Sequence, residues 1–538
     1  MIKLITVALF ASFLSANEVT LPWLESHPKT FARDFYILQY LKQETTSKEQ
    51  ADVALGLVRT MNNKLFFAYV NKLNHDESTA VVQCMKSDAK SLVHSYADCI
   101  ATGLTLKKAS KLNSLEIDTI IQKIQIPYPK LANTLKVFNA PTVFSRLIAS
   151  KEDIFFDIYT KTTRSFRSNK LNYRIPKRVL KRISKDRRIE RLIKLVITNP
   201  KMNLAQKSFF EIDDSKLSAS TSFLLAINLI SHNQESKSIK YLDNAYKKAY
   251  FQMDKDKVDF WKYLITKDEN YLKALLKSWD INIYTLYARD YFNKVFNEII
   301  YDVKQTNKEP IEEYDITNQF DWIKVIRDTK KVDLEKIKRY ETIFTKEETK
   351  PHMVFLYKKF NAYQKHYFIN PYEDLMQNYN KERQVLINSI ARQESQFIPS
   401  AISTAYAQGV MQIMPFLSKA LSYELGDNYS IYNMFKPKYS IRYANKHLDA
   451  LEERFKHPLF IAYAYNGGGG FLQSILKNGL FEKGKYEPYL SMERVPYYET
   501  REYGKKVLTN YIIYMNKLNG KNLKTTTLLK RLKKPSTH

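Results

Sequence analysis

Residues 383–415 read RQVLINSIARQESQFIPSAISTAYAQGVMQIMP, and both the fold and the chemistry of the chain are approached from Glu394 within them. Taken as a helix, Val385 to Glu394 sets Ile387, Ile390 and Ala391 seven, four and three residues ahead of Glu394, so the carboxylate shares a stripe with apolar side chains. Such a stripe faces a core. A carboxyl group at the core-facing end of a helix loses water, which disfavours its charged form and raises its pKa toward the range where it donates a proton near neutrality. That is how a general acid is made. A lone glutamate shortly before a proline, here Pro399, is more often a plain helix end; the residues that follow overturn that reading.

The 538 residues correspond to roughly three or four domains, or fewer if one is a large solenoid, and 44% hydrophobic residues suffice for a sizeable core. Residues 1–16, MIKLITVALFASFLSA, combine one early lysine, an apolar run from Leu4 to Leu14 and small residues Ser15 and Ala16, the pattern of a signal peptide. Export to the periplasm is therefore expected. No later stretch approaches eighteen consecutive apolar residues. The two cysteines, Cys84 and Cys99, have neither CxxC spacing nor neighbouring histidines, and the nine histidines form no HExxH, so no metal and no cofactor is expected. The cysteines either bridge two adjacent helices or sit as buried thiols, and an exported protein favours the bridge. A net charge of +29 spread over the whole chain lacks the clustering of a nucleic-acid site, and it suits an anionic envelope polymer.

Glycine divides the chain. Only Gly56 and Gly103 precede residue 408, and the other ten of the 12 glycines fall between Gly409 and Gly520. Residues 17–300 therefore have little turn chemistry, and SASTSFLLAINLISHN (218–233), SIKYLDNAYKKAYFQM (238–253) and VDFWKYLITKD (258–268) place apolar residues at three- and four-residue spacing. The Ala245-Tyr246 pair recurs at Ala249-Tyr250, and with Trp261 and Trp279 it predicts a degenerate α-solenoid without a fixed repeat. A small helical linker domain is expected over 301–365, a catalytic region over 366–520 and a basic, frayed tail over 521–538. Within the catalytic region, Ile441, Ala444, Leu448, Leu451 and Phe455 form a core stripe on one helix.

Four stretches of this last region form a set: ARQESQF (391–397), QGVMQIMP (408–415), AYAYNGGGG (462–470) and VPYYETREYG (495–504). Together they resemble the soluble lytic transglycosylases, whose motifs are Glu-Ser at a helix end, Gly-(Leu/Val)-Met-Gln-(Leu/Ile)-Met-Pro, Ala-Tyr-Asn before glycine, and Glu-Thr-Arg-x-Tyr. The resemblance covers residues 370–515 by motif and the rest by architecture alone. It implies a mainly α fold: an N-terminal α-superhelical, U- or ring-shaped solenoid, a small helical linker domain and a C-terminal lysozyme-like catalytic domain. By the same resemblance, Glu394 protonates the oxygen between N-acetylmuramic acid and N-acetylglucosamine, then takes the proton of the muramyl C6 hydroxyl as that oxygen attacks C1. The intramolecular attack has a large effective molarity over water and leaves a 1,6-anhydro end.

Hydrolases usually bring two carboxylates to a glycosidic bond, and these motifs offer one obvious acid. Glu499, beside Tyr498, Arg501 and Tyr503, reads as a paired carboxylate that shapes the site. Ser395 and Gln412 offer hydrogen-bonding arms, and Tyr465 and Asn466 bring a phenol and an amide over a glycine loop. Substrate-binding roles fall to Ser395, Met411, Gln412, Tyr465, Asn466, Glu499 and Tyr503, although Met411 and Met414 suit core filling equally well. Two departures concern the shape of the cleft: Tyr406 replaces a small residue, and Gly467 to Gly470 run consecutively. The partner implied is the peptidoglycan glycan strand, with cell-wall synthesis or secretion machinery as the class of protein partner and no nucleic acid. A water-using muramidase with the same glutamate, or a non-catalytic peptidoglycan-binding scaffold, are the competing readings.

Overall fold

Scarce turn residues leave helices to carry the first half of the chain, and the computed structural model, which describes residues 19–296 and 298–534, is built that way. The leader at 1–16 lies outside the described residues. Among the described residues no helix is long and apolar enough to cross a membrane. The described residues form two compact units, one within residues 19–87 with 402–406, the other within residues 88–401 and 407–534.

In the smaller unit, helices Phe31–Tyr40, Lys48–Gly56 and Asn63–Leu73 pack around Phe35, Ile37 and Leu65. Asn62 caps the third of these helices through its side-chain oxygen and donates its amide to the Tyr406 hydroxyl at 2.8 Å. Tyr406 is buried, edge-on to Phe35. Cys84 is buried here and disulfide-bonded, as is Cys99 in the larger unit.

The larger unit begins as a solenoid in which chain neighbours are also spatial neighbours. Ala219–Ile230 packs on Glu235–Lys248, that helix on Gln252–Thr266, and the series continues through Glu269–Lys277 to Ile283–Tyr291. The second Ala-Tyr pair is not helical. The helix stops at Lys248, and Tyr250 stands 88% exposed, while Trp261 is fully buried and Trp279 lies at the surface, stacked on His366. A two-stranded parallel sheet, β1 (Ile299–Ile300) with β2 (His366–Tyr367), brackets the linker segment. Between the strands, Trp322, Val325, Ile337, Tyr340, Phe344, Met353 and Leu356 form a core that also takes in Ile398, four residues beyond Glu394.

The C-terminal region is organised by the long helix Tyr498–Leu518, against which both Lys381–Glu394 and Pro458–Gly467 pack. Lys381–Glu394 is buried from Gln384 to Ala391 on every side, not along a single stripe, because it is surrounded by other helices. The stripe on Pro437–Phe455 is buried at Ile441, Ala444, Leu448, Leu451 and Phe455. The C-terminal segment is not frayed up to residue 534: Thr525–Lys530 is helical, the Thr525 N–H donates to Asp290 at 2.5 Å, and Leu528 and Leu529 are buried.

Candidate active site

Glu394 ends its helix, and the chain then turns back without a glycine. Ser395 caps the helix by donating its N–H to Ala391, and Gln396 and Phe397 follow in left-handed backbone at φ 54° and 67°. For such residues this conformation is strained by about 1–3 kcal/mol each and persists only where neighbours enforce it. Here Lys358 of the linker donates to the Gln396 side chain at 2.7 Å, and the Tyr372 hydroxyl donates to the Phe397 carbonyl at 2.9 Å. Neither Lys358 nor Tyr372 lies in a motif, and no sequence signal marks either one. On the preceding turn, Arg392 donates to Tyr367 and Asn510 and lies over the Phe368 ring, fixing the helix end against Tyr498–Leu518.

The second motif is a backbone device. Gly409 has φ 75°, and a Cβ there would stand 1.9 Å from the Met434 carbonyl oxygen, so only glycine fits. Gln408 and Ile413 pair as an isolated antiparallel bridge, and Gln412, also left-handed, folds its amide back to donate to the Ala401 and Gly409 carbonyls at 3.0 and 2.9 Å. Ser395 donates its hydroxyl to the Val410 carbonyl at 2.7 Å, tying the first motif to the second. The Met411 side chain is fully buried; its N–H donates to Ser440 and its carbonyl accepts from Tyr465 at 2.8 Å. Ser395, Met411 and Gln412 thus have their polar groups engaged within the protein, where they hold the shape of the loop.

The third and fourth motifs complete the cluster. Asn466 donates to Glu499 at 3.4 Å and accepts from the Thr500 hydroxyl at 2.7 Å. Tyr503 donates to Glu394 at 2.7 Å. Glu499, expected as a paired, hydrogen-bonded carboxylate, takes its hydrogen bond from Asn466 and not from its neighbour Arg501. Residues two apart on a helix point away from each other, so Arg501 is buried, donating to the Glu493 and Val495 carbonyls, while Glu499 is exposed to solvent. Burial pushes the Glu394 carboxyl up to about 7, with the Tyr503 hydrogen bond opposing and the Glu499 charge reinforcing the shift. Burial and the neighbouring Glu394 charge carry the Tyr465 and Tyr503 hydroxyls well above their ordinary range, so both remain hydrogen-bond donors. Geometry and charge thus bring Glu394, Tyr465, Glu499 and Tyr503 into one site, with Asn466 at its edge. A carboxyl group that is half protonated near neutrality, beside two neutral phenols, can give a proton to a leaving oxygen and take one back.

Residues 372–486 match the family described as Transglycosylase SLT domain. A soluble lytic murein transglycosylase of Salmonella typhimurium is 28% identical over 156 residues, 28% of this chain and 24% of the relative. A putative soluble lytic murein transglycosylase of Haemophilus influenzae is 32% identical over 141 residues, 25% and 22% of the respective lengths. These alignments thus span about a quarter of the length of the curated relatives. Among solved structures, the 70 kDa soluble lytic transglycosylase from Escherichia coli aligns with 96% of this chain and 85% of its own at 15% identity and a TM-score of 0.49.

Proposed function

With a transglycosylase SLT domain at residues 372–486 as the premise, we propose that the chain is a lytic transglycosylase that cleaves the β-1,4 bond between N-acetylmuramic acid and N-acetylglucosamine in peptidoglycan. The observation that carries this reading is the state of Glu394, pushed up to about 7 by burial and held by the Tyr503 hydroxyl. In the first half of the reaction its proton passes to the glycosidic oxygen as the bond to C1 breaks. In the second half the carboxylate takes the proton of the muramyl C6 hydroxyl while O6 bonds to C1. The proton count closes, water is not consumed, and the product carries a 1,6-anhydro ring. Glu499, exposed and hydrogen-bonded by Asn466, is placed to bind and orient sugar. Its charge also keeps part of the Glu394 population protonated.

Peptidoglycan lies outside the cytoplasmic membrane, so this function goes with export and with residues 1–16 acting as a signal peptide. The basic chain, at +29, suits a polymer bearing peptide carboxylates. Digestion of purified sacculi followed by mass spectrometry tests the reading. Anhydromuropeptides that resist borohydride reduction are the expected product; reducing muropeptides as the main product would establish a hydrolase instead.

A further inference from the structure

Helix Tyr498–Leu518 brings Tyr503 to the candidate acid, and the residues on either side of Tyr503 along that helix enter a buried charge cluster. Lys505, with 1% of its side chain exposed, donates to Glu502 at 3.0 Å, to Glu493 at 2.8 Å and to the Tyr284 hydroxyl at 3.1 Å. Tyr284 in turn donates to Glu493. Arg501 lies 3.5 Å from Glu502, and buried Lys257 is bonded to Asp254 at 2.7 Å. Lys257 and Tyr284 belong to the solenoid helices Gln252–Thr266 and Ile283–Tyr291; Lys257 is bonded to Asp254 of its own helix, while the Glu493 and Lys505 that Tyr284 meets belong to the C-terminal region. Burial by itself would lower the Lys257 ammonium, yet Glu502, Glu493 and Asp254 together carry it above its ordinary range. Burial would likewise raise Glu502, yet Lys505, Lys257 and Arg501 hold it well below the usual carboxylate range. Three cations, Lys257, Arg501 and Lys505, thus balance three carboxylates, Asp254, Glu493 and Glu502.

Charges removed from water hold their geometry only while every partner stays in place. The solenoid supplies three members, Asp254, Lys257 and Tyr284; Tyr284 bonds directly to Lys505 on the helix that presents Tyr503, and the buried Lys257 charge acts on Glu502 of the same helix. We propose that Tyr284 and Lys257 are positioning residues for the Glu394–Tyr503 pair, so that the solenoid sets the rate of bond cleavage as well as any binding of the strand. The proposal rests on the reading of Glu394 as the acid.

The test is made in the full chain on a soluble uncrosslinked glycan. In Tyr284→Phe one oxygen is lost, Lys505 and Glu493 lose a shared partner, and the Tyr503 hydrogen bond to Glu394 slackens. The kcat is expected to fall about tenfold, short of the hundredfold that a 1 Å misplacement can cause, with KM held within about twofold. Because that hydrogen bond holds the Glu394 pKa down, the limb on which activity falls with rising pH should move upward. Lys257→Met, reaching the cluster from a different helix, should behave the same way and decides the matter if Tyr284→Phe does not fold. Tyr287→Phe is the control, since Tyr287 packs on Phe260 and Tyr489 at the same helix contact without joining the cluster. Unchanged kcat and an unmoved limb in the folded Tyr284 or Lys257 variant would overturn the proposal, as would an equal loss in Tyr287→Phe. Failure of the acid reading is separately visible, as activity retained in Glu394→Gln.

Discussion

Glu394 works against two neighbours, Tyr503 and Glu499, and each can be removed singly. Donation requires the protonated carboxyl, so the activity it supports is present below about 7 and is lost as pH rises through that value. Tyr503→Phe deletes the hydrogen bond that favours the charged form; the pKa rises, the basic limb of the kcat profile moves up, and the peak rate falls. Glu499→Gln deletes a like charge, which lowers the pKa and moves the same limb down. Opposite displacements in the two pH–rate profiles are the expected result; displacement in the same direction would mean that another group governs the limb. Glu394→Gln keeps the shape of the side chain but can neither give nor retrieve a proton, so a loss of about 10²- to 10⁴-fold is expected with an unchanged circular dichroism spectrum. The burial of the helix end at Glu394 was legible in the sequence, from its apolar companions Ile387, Ile390 and Ala391. The turn after it was not. Gln396 and Phe397 carry no left-handed preference, and the groups that hold them there, Lys358 and Tyr372, approach from 38 and 25 residues away in the chain.

Among the elements, Tyr498–Leu518 has the most demands on it: one face meets Lys381–Glu394, another meets Pro458–Gly467, and its first turns hold the buried charges. Periodicity reveals that such a helix exists and that it is apolar, as it did for the stripe on Pro437–Phe455. It does not reveal which polar residues turn inward. Arg501, Glu502 and Lys505 look like an ordinary solvated run, and only the surrounding helices make them interior. Gly504 is the packing counterpart of this crowding. A Cβ there would stand 2.1 Å from Cε1 of Tyr463, itself fully buried and unable to swing aside. Gly504→Ala should therefore destabilise the chain by about 1–3 kcal/mol through overpacking. Thermal melting checks it, together with kcat, since the adjacent Tyr503 would be pushed off Glu394. A melting temperature equal to that of the parent would show that the two helices can separate cheaply.

At the scale of the whole molecule, the domain bounds expected from the sequence set residues 366–538 apart from the N-terminal helices. The side chains argue for less independence. Excision at residue 366 strips Tyr284 and Lys257 from the buried charges, and it removes the Ile197 carbonyl that Arg494 donates to and the Asp290 carboxylate that holds Thr525. It bares Tyr489 and Tyr486, which pack on Phe260 and Trp261, and separates Ile398 from the linker core. Exposing aromatic and aliphatic surface of that kind forfeits about 25 cal/mol per Å², which a region of this size cannot spare from a net stability of about 5–15 kcal/mol. Residues 366–538 alone are accordingly expected to unfold at lower denaturant than the full chain and to lose cleavage of a short soluble glycan. In the full chain, cleavage of that short glycan should depend little on salt, while binding to whole sacculi should weaken as salt rises. The +29 charge draws an anionic polymer over a distance of about 8 Å at physiological salt, and that range contracts as salt is added. Urea titration of the two chains, with sacculus pelleting at low and high salt, separates the contributions. An excised region as stable and as active as the parent would show that the solenoid contacts are dispensable to the site and that its role is confined to holding the polymer.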